Sequence, residues 1–314
     1  PYEYKVVMRQ GDSIVNGPHQ GAWVDTVTGE DWFLHFQDVY AAGRITHLQP
    51  MSWKEDWPVI GVAKEGNDYG EPVMEYRKPT VGAGSNEICE PETSDGLTGN
   101  KLGLQWQWNA NPEKNWYELT GNSLKLNAVF KETVYGDMPN LLLQKWPAPE
   151  FSCVTKLDLS NLEDREEAGV ISMGTSYGLL TFRREGDSLV PYYVDGVQKY
   201  GKILPDTTEE TEKLLPAVSF DKAKELYIKY TVKQNGTRDL NANEKGFPLE
   251  LVILEYSTDG SSYQKAGEMT AMPGRWVGVK NGVFCASPEK ESRGYAIVES
   301  VTYEKCEGKC EGNH

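Results

Sequence analysis

GPHQGAWVDTVTGEDWFLHFQDVYAAGRITHLQP, residues 17–50, is the stretch whose reading decides the fold. It carries three of the chain's four histidines, so imidazole chemistry is concentrated here. Residues 21–26 and Asp31–Asp38 are short runs of aromatic and β-branched residues joined by Thr28-Gly29-Glu30, the composition of two strands and a turn. A third run, residues 44–49, follows a short loop. Side chains alternate faces along a strand. Trp32, Leu34 and Phe36 therefore share one face, and Phe33, His35 and Gln37 share the other. Arg44, Thr46 and Leu48 are split in the same way from Ile45, His47 and Gln49. Polar groups able to hydrogen-bond thus sit on strands that also read as core, a mixture that plain packing does not call for.

Outward from this stretch, residues 1–79 form a block of short strands, with further runs at 4–9, 59–63 and 72–77. Residues 80–100 are polar, rich in Gly, Ser and Glu, without periodicity, and read as a linker. Residues 101–305 form a second all-β block. Its strands are expected at 103–108, 123–129, 142–145, 152–157, 168–173, 178–183, 226–232, 249–256 and 294–303. Hairpin turns are expected at Asp195-Gly196, Asn235-Gly236, Asp259-Gly260 and Asn281-Gly282. Only residues 206–215 and 221–225 hint at helix. So many strands in one block point to a β-sandwich. Residues 306–314 form a tail in which Cys306, Cys310 and His314 make at most a weak metal signal, a solvated tail being the simpler reading.

Composition narrows the function classes. A net charge of −15 argues against nucleic acid or an anionic membrane surface as partner. No apolar run approaches the roughly 20 residues that span a bilayer as a helix. Five scattered cysteines do not read as a disulfide framework. The 31 glycines and 17 prolines suit many tight turns.

The strings GPHQGAWVDT, WFLHFQD and GRITHLQPMSWKEDWPVIG resemble the last blades of the five-bladed β-propeller of glycoside hydrolase family 43, which holds β-xylosidases and α-L-arabinofuranosidases. The strings LGLQWQWNANPEKNWYEL, LLLQKWPAPEF and LEYSTDGSSYQKAGEM resemble the concanavalin A-like sandwich that follows it in that family. The fold expected is therefore all-β, a partial propeller of one to two blades followed by a sandwich. About six strands are fewer than two blades need, and an isolated arc leaves open sheet edges and an exposed apolar face. The first block is expected to be the end of a larger domain, its remainder supplied before Pro1 or as a separate polypeptide.

The resemblance implies inversion by an Asp base and a Glu acid that lie upstream of the GPHQGAWVDT motif, so no residue of this chain is assigned as acid or base. Asp25, Asp31 and Asp38 read as turn or cap formers. What the segment is expected to supply is binding. Arg44 matches the arginine that reaches the −1 subsite and can donate to two sugar hydroxyls in fixed geometry. Gln37 and Gln20 are weaker substrate candidates, and each could instead satisfy buried backbone groups. Trp23 could stack on a sugar face or belong to the core. His19 matches a channel histidine near which some family members hold calcium, although calcium prefers oxygen and a hydrogen-bonded core histidine explains the residue equally. The expected ligands are xylo- or arabino-oligosaccharides. No cofactor is required for the chemistry, and a structural Ca2+ near His19 is left open. The alternative function is a non-catalytic sugar-binding or structural module.

Overall fold

The computed structural model describes residues 2–15, 19–82, 90–199, 207–238 and 247–305. By its internal contacts the chain divides into two units, residues 1–39 with 43–89, and residues 40–42 with 90–314.

The first unit is built on four strands, β1 (His19–Asp25), β2 (Asp31–Asp38), β3 (Arg44–Lys54) and β4 (Trp57–Ile60). They form one antiparallel meander in the order β1-β2-β3-β4, the make-up of a propeller blade. The β1–β2 turn closes with Gly29 N donating to Thr26 O at 3.0 Å. The β3–β4 turn uses Glu55 and Asp56, both at positive φ (52° and 63°), the left-handed pair that a two-residue hairpin requires. Neither residue is Gly or Asn, and for this reason the sequence shows β3 ending at residue 49 and β4 displaced to 59–63. Residues 4–9 and 72–77, expected as strands, are held by an isolated bridge, single backbone hydrogen bonds and side-chain ties. Met8 bridges Gly70, and Val73 N donates to Gln49 Oε1 at 2.8 Å. Apolar side chains stand exposed on both faces of this sheet, Leu34 and Leu48 on one, Trp23, Ile45 and Trp53 on the other.

The second unit opens with β5 (Gln107–Trp108), β6 (Tyr117–Leu119), β7 (Leu124–Asn127), β8 (Val129–Phe130), β9 (Leu142–Lys145) and β10 (Phe151–Asp158). It continues with β11 (Glu167–Met173), β12 (Tyr177–Glu185), β13 (Ser188–Lys199), β14 (Thr207–Leu214) and β15 (Val218–Ser219). The last strands are β16 (Leu226–Arg238), β17 (Phe247–Ser257), β18 (Gln264–Thr270), β19 (Lys280–Ser287) and β20 (Tyr295–Lys305). A seven-stranded sheet runs β18-β17-β16-β10-β20-β7-β6. A nine-stranded sheet runs β14-β13-β12-β11-β19-β9-β5, with β15 beside β13 and β8 beside β19. The core between them follows the period of two. Phe151, Cys153 and Leu157 point inward from β10, Leu226, Ile228, Tyr230 and Val232 from β16, and Leu180 and Phe182 from β12. A second cluster covers the other face of the nine-stranded sheet. There Tyr135, Met138 and Leu141 pack on Ile171, Leu179, Val194 and Phe284.

Several sequence expectations are corrected here. Residues 207–214 are an edge strand and not helix; β13 pairs it along its length, and Arg183 reaches Glu212 at 3.3 Å. Residues 220–222 form a single 3-10 turn. Of the four turn signals, only Asp259-Gly260 is a turn, with Asp259 Oδ1 accepting from Ser261 N and Ser262 N at 2.8 and 2.7 Å. Asp195-Gly196 and Asn281-Gly282 lie inside β13 and β19, and Asn235-Gly236 lies at a register shift of β16. Residues 94–99, polar enough to read as linker, belong to the second unit. Asp95 bridges Val301, Leu97 is buried, and Asp95 Oδ2 accepts Trp106 Nε1 at 2.8 Å. Cys89, Cys306, Cys310 and His314 lie outside the described residues. Cys153 and Cys285 are free and buried.

Candidate functional site

The candidate residues sit on β1, β2 and β3, and the pairing register places each of them. Asp38 lies opposite Arg44, Phe36 opposite Thr46, and His35 opposite His47. Arg44 and Phe36 are thus diagonal neighbours on one face, and the Arg44 guanidinium carbon lies 4.4 Å from the Phe36 ring centre. A planar cation stacked on an aromatic face is held in a fixed orientation.

The other face carries Trp23, Phe33, His35 and Gln37 with Ile45, His47 and Gln49. The His35 and His47 rings stack at 5.3 Å and 21°, and Phe33 continues the stack at 6.3 Å. His35 is 2% exposed, and its Nδ1 lies 3.3 Å from Phe36 O. Nε2 of His35 and Nε2 of His47 are buried and have no hydrogen-bond partner among the described residues. Burial pushes the His35 pKa below its ordinary value. Burial, and then the neighbouring His35, do the same to His47. Both rings are therefore held neutral at pH 7. A cavity of about 430 Å³ within the first unit is lined by Gln20, Gly21, Phe33, His35 and Ile60, among others.

The structure brings Gln20 and His35 to one cavity and leaves the other candidates apart. Gln20 is exposed at φ 45°, beside a register shift in β1. Gln37 Nε2 donates to Ile14 O at 3.0 Å, tying down the segment before β1. Gln49, fully buried, satisfies the backbone of Val73 from both ends of its amide. Trp23 Nε1 donates to Asp31 Oδ1 at 2.7 Å, and its ring meets Trp53 edge-on at 5.3 Å. Trp23 stands opposite Phe33 and Arg44 opposite Asp38, five residues along β2, or about 17 Å, on the opposite face. The His19 side chain lies outside the described residues. Among the described residues no group of three or more His, Cys, Asp or Glu is placed to hold a metal. They do not themselves build the oxygen cage that calcium takes. The stacked imidazole pair is what sequence reasoning left without a role; its only signal is two histidines at inward positions of core strands.

In the sandwich four of the tryptophans pack into the structure, while Trp276 stands exposed. Trp106 and Trp116 are buried, Trp108 packs on Trp116 at 5.7 Å, and Trp146 Nε1 donates to Tyr230 OH at 2.9 Å.

The sequence profile described as "Beta xylosidase C-terminal Concanavalin A-like domain" matches residues 94–304. The chain belongs to this family. It is similar to a "Putative beta-xylosidase" of Xylanibacter ruminicola, 33% identical over 287 residues that make up 90% of this chain and 47% of the relative. It is also similar to a "Beta-xylosidase" of Formosa agariphila, 28% identical over 317 residues, 97% of this chain and 51% of the relative. The chain thus spans about half the length of the curated relatives it matches. Among solved structures, a bifunctional GH43-CE protein of Bacteroides eggerthii aligns with a TM-score of 0.73 at 25% identity, over 99% of this chain and 36% of that one. The GH43 BlXynB protein of Bacillus licheniformis aligns with a TM-score of 0.70 at 20% identity, over 97% and 57%, a likeness of fold. The four-stranded sheet and the sandwich are the end of a family 43 propeller and its concanavalin A-like domain. In family terms the chain corresponds to a C-terminal portion of the family 43 proteins it matches.

Proposed function

We propose that this chain is the pocket-supporting part of an inverting glycoside hydrolase that removes xylose or arabinofuranose from hemicellulose, with the acid and base carried on polypeptide upstream of Pro1. The observation that carries the reading is Arg44, held over Phe36 where β2 turns into β3 and so placed at the end of the sheet. A guanidinium oriented in this way can donate to adjacent sugar hydroxyls as the ring distorts toward its transition state. The apolar side chains exposed on both faces of the sheet support further blades packing there. Gln20 and Gln37 are proposed as secondary contacts, Trp23 as a pocket wall, and the sandwich as an accessory domain. The preceding part of the propeller is the proposed partner, and xylo- or arabino-oligosaccharide the ligand.

The test is turnover of nitrophenyl β-xyloside and α-arabinofuranoside, by this chain alone and when produced together with the preceding propeller part. The expected result is no turnover alone and turnover in the mixture. In the mixture, Arg44→Ala lowers kcat/KM by about 10–150-fold, the loss of a charge-assisted hydrogen bond made in the transition state. Unchanged kinetics reject the role of Arg44, and turnover by the chain alone rejects the placement of the acid and base. An inactive mixture supports the non-catalytic module instead. A structural calcium near His19 is part of the same proposal; a melting temperature and activity indifferent to a chelator count against it.

A further inference from the structure

A cavity of about 490 Å³ opens within the sandwich unit, inside the roughly 300–1,000 Å³ range of small-ligand sites. Its frame is backbone stitched to backbone. Asn127 N donates to Trp116 O, Ala128 N to Gly294 O and Lys131 N to Ser287 O, each at 2.9 Å. The Asn127 side chain braces the frame by donating Nδ2 to Asn115 O at 2.7 Å. Beneath it the Trp116 indole is 5% exposed and packed on Trp108. The walls are fixed by the sheet and not by mobile side chains.

Several side chains that line this opening are ones the fold itself does not use for hydrogen bonds or ion pairs. The side chains of Glu113, Asn115 and Arg293 are exposed, and none makes a hydrogen bond or ion pair among the described residues. Lys290 has no carboxylate partner there either; its Nζ lies 5.6 Å from the Phe130 ring centre. Some other cations of the same unit are paired, Lys131 and Arg183 with Glu167, Lys156 with Glu299, Arg165 with Glu289. Two cations without anionic partners beside one carboxylate and a half-buried aromatic ring make a locally positive cavity in a chain of net charge −15.

We propose that this cavity binds a short oligosaccharide bearing a carboxylate, that is, a uronic-acid substituent. The Arg293 fork pairs with the carboxylate in two parallel hydrogen bonds, and Lys290 adds a second positive charge. Phe130 offers an apolar ring to the C–H face of a pyranose. The Asn115 amide donates to and accepts from hydroxyls, and the Glu113 carboxylate accepts from them. The site binds without chemistry, and it does not depend on the hydrolase reading.

The test is calorimetric or NMR titration of the full chain with three probes: a glucuronic-acid-bearing xylo-oligosaccharide, the unsubstituted oligosaccharide of equal length, and free glucuronate. The acidic oligosaccharide is expected to bind at least about tenfold more tightly than the neutral one, the worth of a charge-assisted contact. Arg293→Gln is expected to weaken the acidic probe by about tenfold and change the neutral one by less than about twofold. Raising the salt concentration weakens the acidic probe alone. Arg293 is exposed, so an unchanged melting temperature certifies the variant fold. Absence of binding by the acidic oligosaccharide up to about 10 mM overturns the proposal. So does equal affinity for acidic and neutral probes, or free glucuronate binding as tightly as the oligosaccharide. No turnover is read, so failure here leaves the hydrolase reading untouched.

Discussion

Replacing Glu167 by Ala tests what holds residues 131–141 against the outer face of the nine-stranded sheet. Glu167 begins β11 and is 4% exposed. Its Oε1 accepts from Tyr135 OH at 2.7 Å and lies 3.3 Å from Lys131 Nζ; its Oε2 accepts from Arg183 Nε at 3.2 Å and Nη2 at 3.1 Å. Truncation leaves the fully buried Tyr135 hydroxyl without its acceptor and the Arg183 guanidinium with only Glu212 among its carboxylate partners. Removing one member of a buried ion pair costs about 3–5 kcal/mol, because the charge left behind is poorly solvated and only partly compensated. For a unit of this size each kcal/mol lowers the melting temperature by about 2–4 °C, so the sandwich transition should fall by roughly 6–20 °C in scanning calorimetry. Tyr135→Phe removes one hydrogen bond and leaves the carboxylate its two cations, so about 1 kcal/mol is expected. Combining Glu167→Leu with Arg183→Met should recover part of the loss, since only Lys131 is then left without its carboxylate. A Glu167→Ala shift no larger than that of Tyr135→Phe refutes the account and assigns the packing of this face to its apolar cluster alone.

The histidine stack makes the first unit sensitive to acid. The folded pKa values of His35 and His47 lie below the unfolded value, so the unfolded chain binds more protons in that window. Their contribution is complete above about pH 6.5 and is lost as pH falls through the folded values. Amide-exchange protection of β2 and β3 should drop on acidification, and His35→Gln should flatten the dependence; equal protection at both pH values, after correction for intrinsic rates, contradicts this. Glu30 is held down to about 2, first by the Thr80 N–H at 2.7 Å and then by Arg77. Its tie to residues 77–80 is complete above about pH 4.5 and is lost as pH falls through about 2, and Glu30→Gln should speed proteolysis of that segment at neutral pH. Gly282→Ala would set a Cβ 2.0 Å from Leu142 O, so β9 and β19 must part, at a cost of about 1–3 kcal/mol or more that a thermal melt would show.

How much of this was written in the sequence turns on what each residue type can signal. Strands whose neighbours alternate plainly were legible: residues 142–145 were placed to the residue, and 152–157, 168–173 and 178–183 to within two. The face assignments along residues 33–37 and 45–49 also hold in the register that sets His35 against His47. The strands that escaped did so through tertiary context. The charged run of β14 has weak strand propensity of its own and is paired along its length by β13.

Two of the three misread turns share one cause. Glycine marks either a backbone at positive φ or a place where no side chain fits, and a dipeptide rule registers only the first. Gly260 is the first kind, at φ 72°. Gly196 is the second: a Cβ there would lie 2.2 Å from the Tyr177 ring, the ring whose hydroxyl bonds Glu210. Gly282 is the second kind as well, pressed on the Leu142 carbonyl. The same ambiguity governs the candidate site, where polar residue type alone leaves the role open. Gln49 and Gln37 carry the same amide within the same motif, yet one satisfies buried backbone at residue 73 and the other tethers residue 14 from an exposed position. Only the register, set by the Val39 N to Gly43 O bond at 2.7 Å that closes the β2–β3 connection, decides which polar groups point outward. Arg44 stands directly after that connection, so its placement follows from loop closure and not from the strand pattern on either side.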